Sequence, residues 1–188
     1  MTVLSCGAAT VNRRGEYTDK RGNSMGAIKK IMVALAYSNY SAEEFAYASE
    51  LATELNSDLV AANVINERDV SAVNRIADMG YELDSEVYVK GLIEERQAML
   101  AEMIKASAFP ADRLTILFKV GNPVDELLKI IVVEKVDLVV MGIKGRTDLE
   151  YIFIGSVAEK LFQRSPVPII SFRDAKNAAR LRSRIHLP

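Results

Sequence analysis

The sequence predicts an α/β domain: an open, doubly wound, five-stranded parallel sheet with helices on both faces. Three observations carry this. Short runs of Val, Ile, Leu and Ala recur along the chain and are nearly continuous, the pattern of strands buried on both faces. Segments with apolar residues at helical spacing separate them. Turn-forming groups such as Gly121-Asn122-Pro123 and Ser165-Pro166 fall at the joins. The resulting order, βαβαβαβαβ, implies a parallel sheet with right-handed crossovers.

Residues 1–28 are polar and glycine-containing without a sustained period, so they are expected to be a disordered extension. Met25 within them is a second candidate start. Ile31 to Ala36 is the first strand. Ser41-Ala-Glu-Glu44 has the form of a capping box opening a helix to about Asn56, with Phe45, Ala48, Leu51, Ala52 and Leu55 on one stripe. Leu59 to Ile65 is the second strand. A polar segment, Asn66 to about Leu83, leads into a long helix from Asp84 to Ser107 whose apolar face is Val87, Leu92, Ile93, Met99, Leu100, Met103 and Ile104. Leu114 to Val120 is the third strand. Pro123, with Asp125 and Glu126 behind it, suits a helix start, and this helix runs to about Glu134. Asp137 to Met141, Gly155 to Gln163 and Val167 to Phe172 complete the series as strand, helix and strand.

Composition narrows the function. At 188 residues and 49% hydrophobic content, one domain (29–173) can bury a substantial core. No apolar run approaches the roughly 20 residues of a membrane span, and the first residues lack the pattern of a secretory signal, so a cytoplasmic location without membrane contact is expected. The only Cys, Cys6, and the only His, His186, lie in opposite tails, which leaves no zinc cluster or His-based catalysis for the body. Residues 1–30 carry +4, residues 173–188 carry +4, and the body between them −9. An acidic body is a poor nucleic-acid surface; the basic segment 174–188 is read as a solvated tail.

One segment stands out. A strand-like run ends at Gly142, Gly145 follows after two residues, and Gly155-Ser156 opens a helix nine residues later. Glycines let backbone N–H groups wrap an anion, and a helix start adds unpaired N–H groups and a favourable dipole. Two strand orders are usual for such a sheet, 2-1-3-4-5 and 3-2-1-4-5. In the second, the chain order reverses between strands 1 and 4, and ligands bind beyond the strand ends at that reversal. The glycine loop follows strand 4.

This spacing, with Val157-Ala-Glu-Lys160 and Ser165-Pro-Val-Pro-Ile-Ile170 behind it, resembles the universal stress protein family. The resemblance extends to Ile31-Met-Val33, Asn63-Val-Ile-Asn-Glu-Arg-Asp69 and Val120-Gly-Asn-Pro-Val-Asp-Glu126, covering roughly residues 29–173. It implies a Rossmann-like fold of order 3-2-1-4-5, homodimers joined through strand 167–172, and, in the branch with this glycine pattern, binding of ATP with or without Mg2+. Position by position, it puts phosphates against Gly142 to Gly145 and against Gly155, Ser156 and Val157, adenine near Val64, and ribose near strand 1, at Ala34 and Ala36, and near Met141. Lys144 and Arg146 are loop charges that face either the phosphates or solvent. ATP-binding members usually carry Pro and Asp where Ala34 and Ala36 stand, so the resemblance implies weaker ATP affinity here.

Other nucleotide signatures are missing: there is no Gly-x-x-x-x-Gly-Lys-Ser/Thr, no Gly-x-Gly-x-x-Gly after strand 1, and no glycine in Ala36-Tyr-Ser-Asn-Tyr-Ser41. The leading expectation is a stress-response regulator that binds an adenine nucleotide, signals as a homodimer to a protein partner, and has no catalytic residue or metal ligand of its own. Two rival readings stand beside it: a dimeric interaction protein without nucleotide, and a slow ATPase or a protein that phosphorylates itself on Ser156 or Thr147.

Overall fold

Five strands make one parallel sheet: β1 (Lys30–Ala34), β2 (Asp58–Asn66), β3 (Leu114–Gly121), β4 (Leu138–Gly142) and β5 (Ile169–Phe172). Their spatial order is β3-β2-β1-β4-β5, every neighbouring pair is parallel, and this is the 3-2-1-4-5 order. The computed structural model describes residues 9–11, 17–19, 28–82, 84–143 and 155–185. Ala9–Val11 and Tyr17–Asp19 pair antiparallel as a separate two-stranded sheet. Lys144, Gly145, Arg146 and Thr147 lie outside the described residues.

The continuous apolar runs have the anticipated cause. Successive strand residues point to opposite faces, and both faces are covered. Ile31, Val33, Leu59, Ala61, Leu138 and Val140 pack under α1 (Ser41–Glu54) and α3 (Ser85–Ser107), against Phe45, Ala48, Ala52, Leu100 and Met103. Met32, Val60, Val139 and Met141 pack on the other face under α4 (Pro123–Val133) and α5 (Ser156–Arg164), against Leu127, Ile130, Ile131, Ala158 and Leu161. Burying one such large side chain contributes roughly 1.5–3 kcal/mol, so the two layers together hold the strand ends in register.

Local signals explain the boundaries. β1 stops at Ala34 and not at Ala36: Leu35 N–H still donates to Ala62 O at 2.9 Å, but Tyr37 takes a left-handed φ of 52° and turns the chain out of the sheet. Asn122 caps α4, its side chain accepting from the Val124 and Asp125 N–H groups, with Pro123 in the first turn.

Three sequence readings need correction. The polar segment after Asn66 is a helix, α2 (Glu67–Asp78), capped by the Asn66 side chain at Arg68 N–H and acidic in its first turn. It buries none of its residues fully: Val70 and Val73 of its short apolar stripe are half-buried and Ile76 is exposed, and the polar residues between them made the segment read as a loop. The Ser41–Glu44 capping box does not form: Tyr40 is the cap residue of α1 without a side-chain bond, and Ser41 Oγ instead accepts from Ser38 N–H at 2.9 Å. The apolar face of α3 is buried only toward its C-terminal half, at Leu100 and Met103, while Val87 is 66% exposed. Beyond β5, Asp174 caps a last helix, α6 (Ala175–Arg182), within the basic C-terminal segment.

Candidate functional site

β1 and β4 lie side by side with Ala34 opposite Met141, and from this point the chain leaves in opposite directions, to β2 on one side and β5 on the other. A crevice must open where the two connections part. It holds a cavity of about 310 Å3, within the size range of small-ligand sites. Ala34, Ala36, Val64, Met141, Gly142, Gly155, Ser156 and Val157 all line it. The structure thus brings eight of the sequence-predicted residues together; the other three, Lys144, Gly145 and Arg146, lie outside the described residues.

The two ends of the glycine loop meet directly. Gly155 N–H donates to Ile143 O at 2.8 Å, which brings the start of α5 against the end of β4. The cap residue of α5, Gly155, makes no side-chain bond, and Gly155, Ser156 and Val157 line the cavity, where a helix start offers N–H groups and the positive end of the helix dipole. Gly155 has an ordinary φ of −58°; its lack of a side chain serves space in the cavity, not backbone conformation.

The loop after β1 is pinned from below. Asn63 Nδ2 donates to Leu35 O at 2.6 Å, and Arg96 Nη1 of α3 donates to Asn63 Oδ1 at 2.6 Å. The Arg96 guanidinium also lies 5.6 Å from the centre of the Tyr37 ring, which stacks on Phe118 at 6.4 Å. Burial raises the Tyr37 phenol well above its ordinary range, so it stays protonated. A buried guanidinium is held here by an amide and a ring face, a combination suited to fixing one loop geometry.

The residue that sequence reasoning misplaced is Glu44. It is 3% exposed, lines the cavity, and its Oε1 accepts from Gly142 N–H at 2.7 Å. Burial pushes its carboxyl up to about 8, against the downward pull of the Gly142 N–H. The group is therefore largely protonated near neutral pH. A signal for this existed: Glu44 sits one turn from Ser41 and from Ala48 on the inward stripe of α1, where a carboxyl has no reason to be unless it meets a partner. Asp69 of α2 adds a second carboxyl to the wall.

Comparison with known proteins identifies the family and the fold. The model of the universal stress protein family matches residues 27–173. The universal stress protein MJ0531 of Methanocaldococcus jannaschii is 31% identical over 155 residues, covering 82% of this chain and 87% of the relative. Among solved structures, that of MJ0577, a universal stress protein of the same organism, superposes with a TM-score of 0.65 at 23% identity, over 80% of this chain and 99% of the other. A universal stress protein solved in complex with cAMP superposes with a TM-score of 0.53 at 23% identity, over 79% and 99%. The matched span runs from the residues before β1 to the end of β5 and includes both ends of the glycine loop, and the chain therefore belongs to the universal stress protein family.

Proposed function

We propose that this protein is a cytoplasmic stress-response regulator that binds ATP or another adenine nucleotide across the ends of β1 and β4 and signals as a homodimer through strand 167–172. One observation carries the reading. The residues that the family pattern assigns to adenine, ribose and phosphate, from Ala34 and Val64 to Gly142 and Ser156, line a single cavity at the reversal of strand order. The start of α5, where the cap residue Gly155 offers no side chain, supplies N–H donors for a phosphate, and Val64 offers apolar contact for a purine. Lys144 and Arg146 are proposed to add charge from the glycine loop, and Mg2+ would accompany the triphosphate. That a family member was solved with cAMP supports an adenine ligand. The nucleotide is bound and read by a protein partner, not turned over.

Calorimetry tests this. Wild type should bind ATP, cAMP or AMP, and Gly142→Val or Gly155→Val should abolish binding by filling the cavity with a branched side chain. The Gly155 backbone already suits any residue, so that variant should stay folded. Unchanged binding in both variants would overturn the site. Ala36, which stands in the cavity wall where ATP-binding family members usually carry Asp, favours a second reading, a dimeric interaction protein without nucleotide. Mass spectrometry of gently purified protein separates the two: retained adenine nucleotide excludes the second.

A further inference from the structure

Gly142 N–H is the backbone donor at the end of β4, and it is already engaged. Glu44 Oε1 accepts from it at 2.7 Å, and this carboxyl stands in the same cavity wall as Ala36, Gly155 and Ser156. A carboxyl oxygen and a phosphate oxygen are both acceptors, so they compete for the same N–H. A ligand hydroxyl or amine brings a donor instead, which a buried carboxyl can accept without giving up Gly142. Resting on the adenine-nucleotide reading above, we propose that Glu44 is a selectivity residue of this cavity: it keeps phosphate off the Gly142 N–H and favours ligands of low charge with hydroxyl or amine donors, adenosine and its monophosphate, over ATP.

The surroundings act in the same direction. Among the described lining residues there is no Lys, Arg or His. From α2 comes a second carboxyl, Asp69. From α3 comes Arg96, whose guanidinium is engaged by Asn63 Oδ1 and the Tyr37 ring. From the loop after β1 comes Tyr37 itself, kept protonated by burial. The lining residues of β2 and β4 are neutral, Asn63 and Val64 on one and Met141 with Gly142 on the other. On α1, Tyr40 and Tyr47 lie a turn to either side and Glu43 is exposed. Lys144 and Arg146 lie outside the described residues. With its carboxyl pushed up to about 8, Glu44 becomes a fixed negative charge only in alkaline solution, and the bias against phosphate should then deepen.

Calorimetry on the full chain at about pH 7 and about pH 9, above the last phosphate ionisation near ~6, reads this out with adenosine, AMP and ATP. Wild type should bind AMP more tightly than ATP. Raising the pH should weaken ATP roughly tenfold or more and adenosine by less than about twofold, since a carboxylate repels the phosphates of ATP, less so the single phosphate of AMP, and adenosine carries no charge. Glu44→Gln keeps an acceptor but cannot ionise, so its ATP affinity should not change with pH. Glu44→Ala frees the Gly142 N–H and should tighten ATP roughly tenfold. If all three proteins show the same ATP-to-adenosine ratio at both pH values, the selectivity role is overturned while nucleotide binding stands. If none of the three binds any of these ligands while circular dichroism stays native, the nucleotide reading falls and this proposal with it. A ligand-free measurement guards the contact itself. The Gly142 amide resonance should move with a midpoint of about 8 in wild type and stay still in Glu44→Gln; a wild-type resonance that does not move overturns the proposal.

Discussion

Glu44 shows how one side chain can link stability, pH and binding. Its carboxyl is raised from an ordinary value of 4.5 to about 8, first by burial, with the Gly142 N–H opposing. The folded state therefore keeps a proton that the unfolded chain gives up. The sign follows from linkage: the contribution is fully present below the unfolded value, declines as pH rises from there, and is lost once pH passes the folded value. Wild type should thus show a urea midpoint that falls between about pH 5 and about pH 8 and then levels off. Glu44→Gln should lack that fall and be the more stable of the two at alkaline pH. A midpoint that falls equally in both proteins would mean that another group titrates.

At the scale of elements, the turn from β3 to α4 is built for one conformation. Gly121 ends β3 with a φ of 156°, and a Cβ there would stand 2.9 Å from Glu126 Cγ. Glu126 is itself held by Lys129 at 2.6 Å, and Asn122 and Pro123 fix the helix start behind it. Gly121→Ala should therefore destabilise the protein by about 1–3 kcal/mol, the scale of local backbone strain, read as a lowered urea midpoint with unchanged slope. This turn was legible from Gly121-Asn122-Pro123, as were the strands of the sheet: β1, β2 and β4 are buried on both faces and write continuous apolar runs, while β3, which buries no residue, and β5 form the edges. Helices α2 and α6 were not legible. Neither fully buries a residue; each is capped, at Asn66 and at Asp174, and the polar residues between their few apolar ones made both sequences read as polar segments. The glycines that line the cavity stood out by their spacing after a buried strand, whereas Val64 entered only through the family resemblance. Glu44 was misread because a Ser-x-x-Glu pattern fits two structures, and only tertiary packing of α1 against β4 selects the one in which the carboxyl turns inward.

The whole molecule leaves a sheet edge at β5, which pairs with β4 on one side only. Ile169-Ile-Ser-Phe172 carries no charge and all four residues are half-buried, so the edge lacks the features that normally keep edge strands from pairing. The opposite edge, β3, carries Lys119 and a more exposed face. Pro168 does not block β5: its carbonyl accepts from Val139 N–H at 3.0 Å, which places Pro168 and Ile170 toward β4 and turns the N–H and C=O groups of Ile169 and Ser171 outward. Two copies about a two-fold axis can then pair these outward groups antiparallel, the self-complementary contact most homodimers use. Ile169 packs with the α4 and α5 layer and Ile170 with the α1 and α3 layer, so the partner's edge would extend both cores at once. Light scattering should therefore give a dimer for wild type. Ile170→Lys places a charge in the joined core, and Ser171→Pro removes an outward donor while leaving the ladder to β4 intact. Both should give folded monomers. A monomeric wild type, or two folded variants that remain fully dimeric, would place the interface elsewhere.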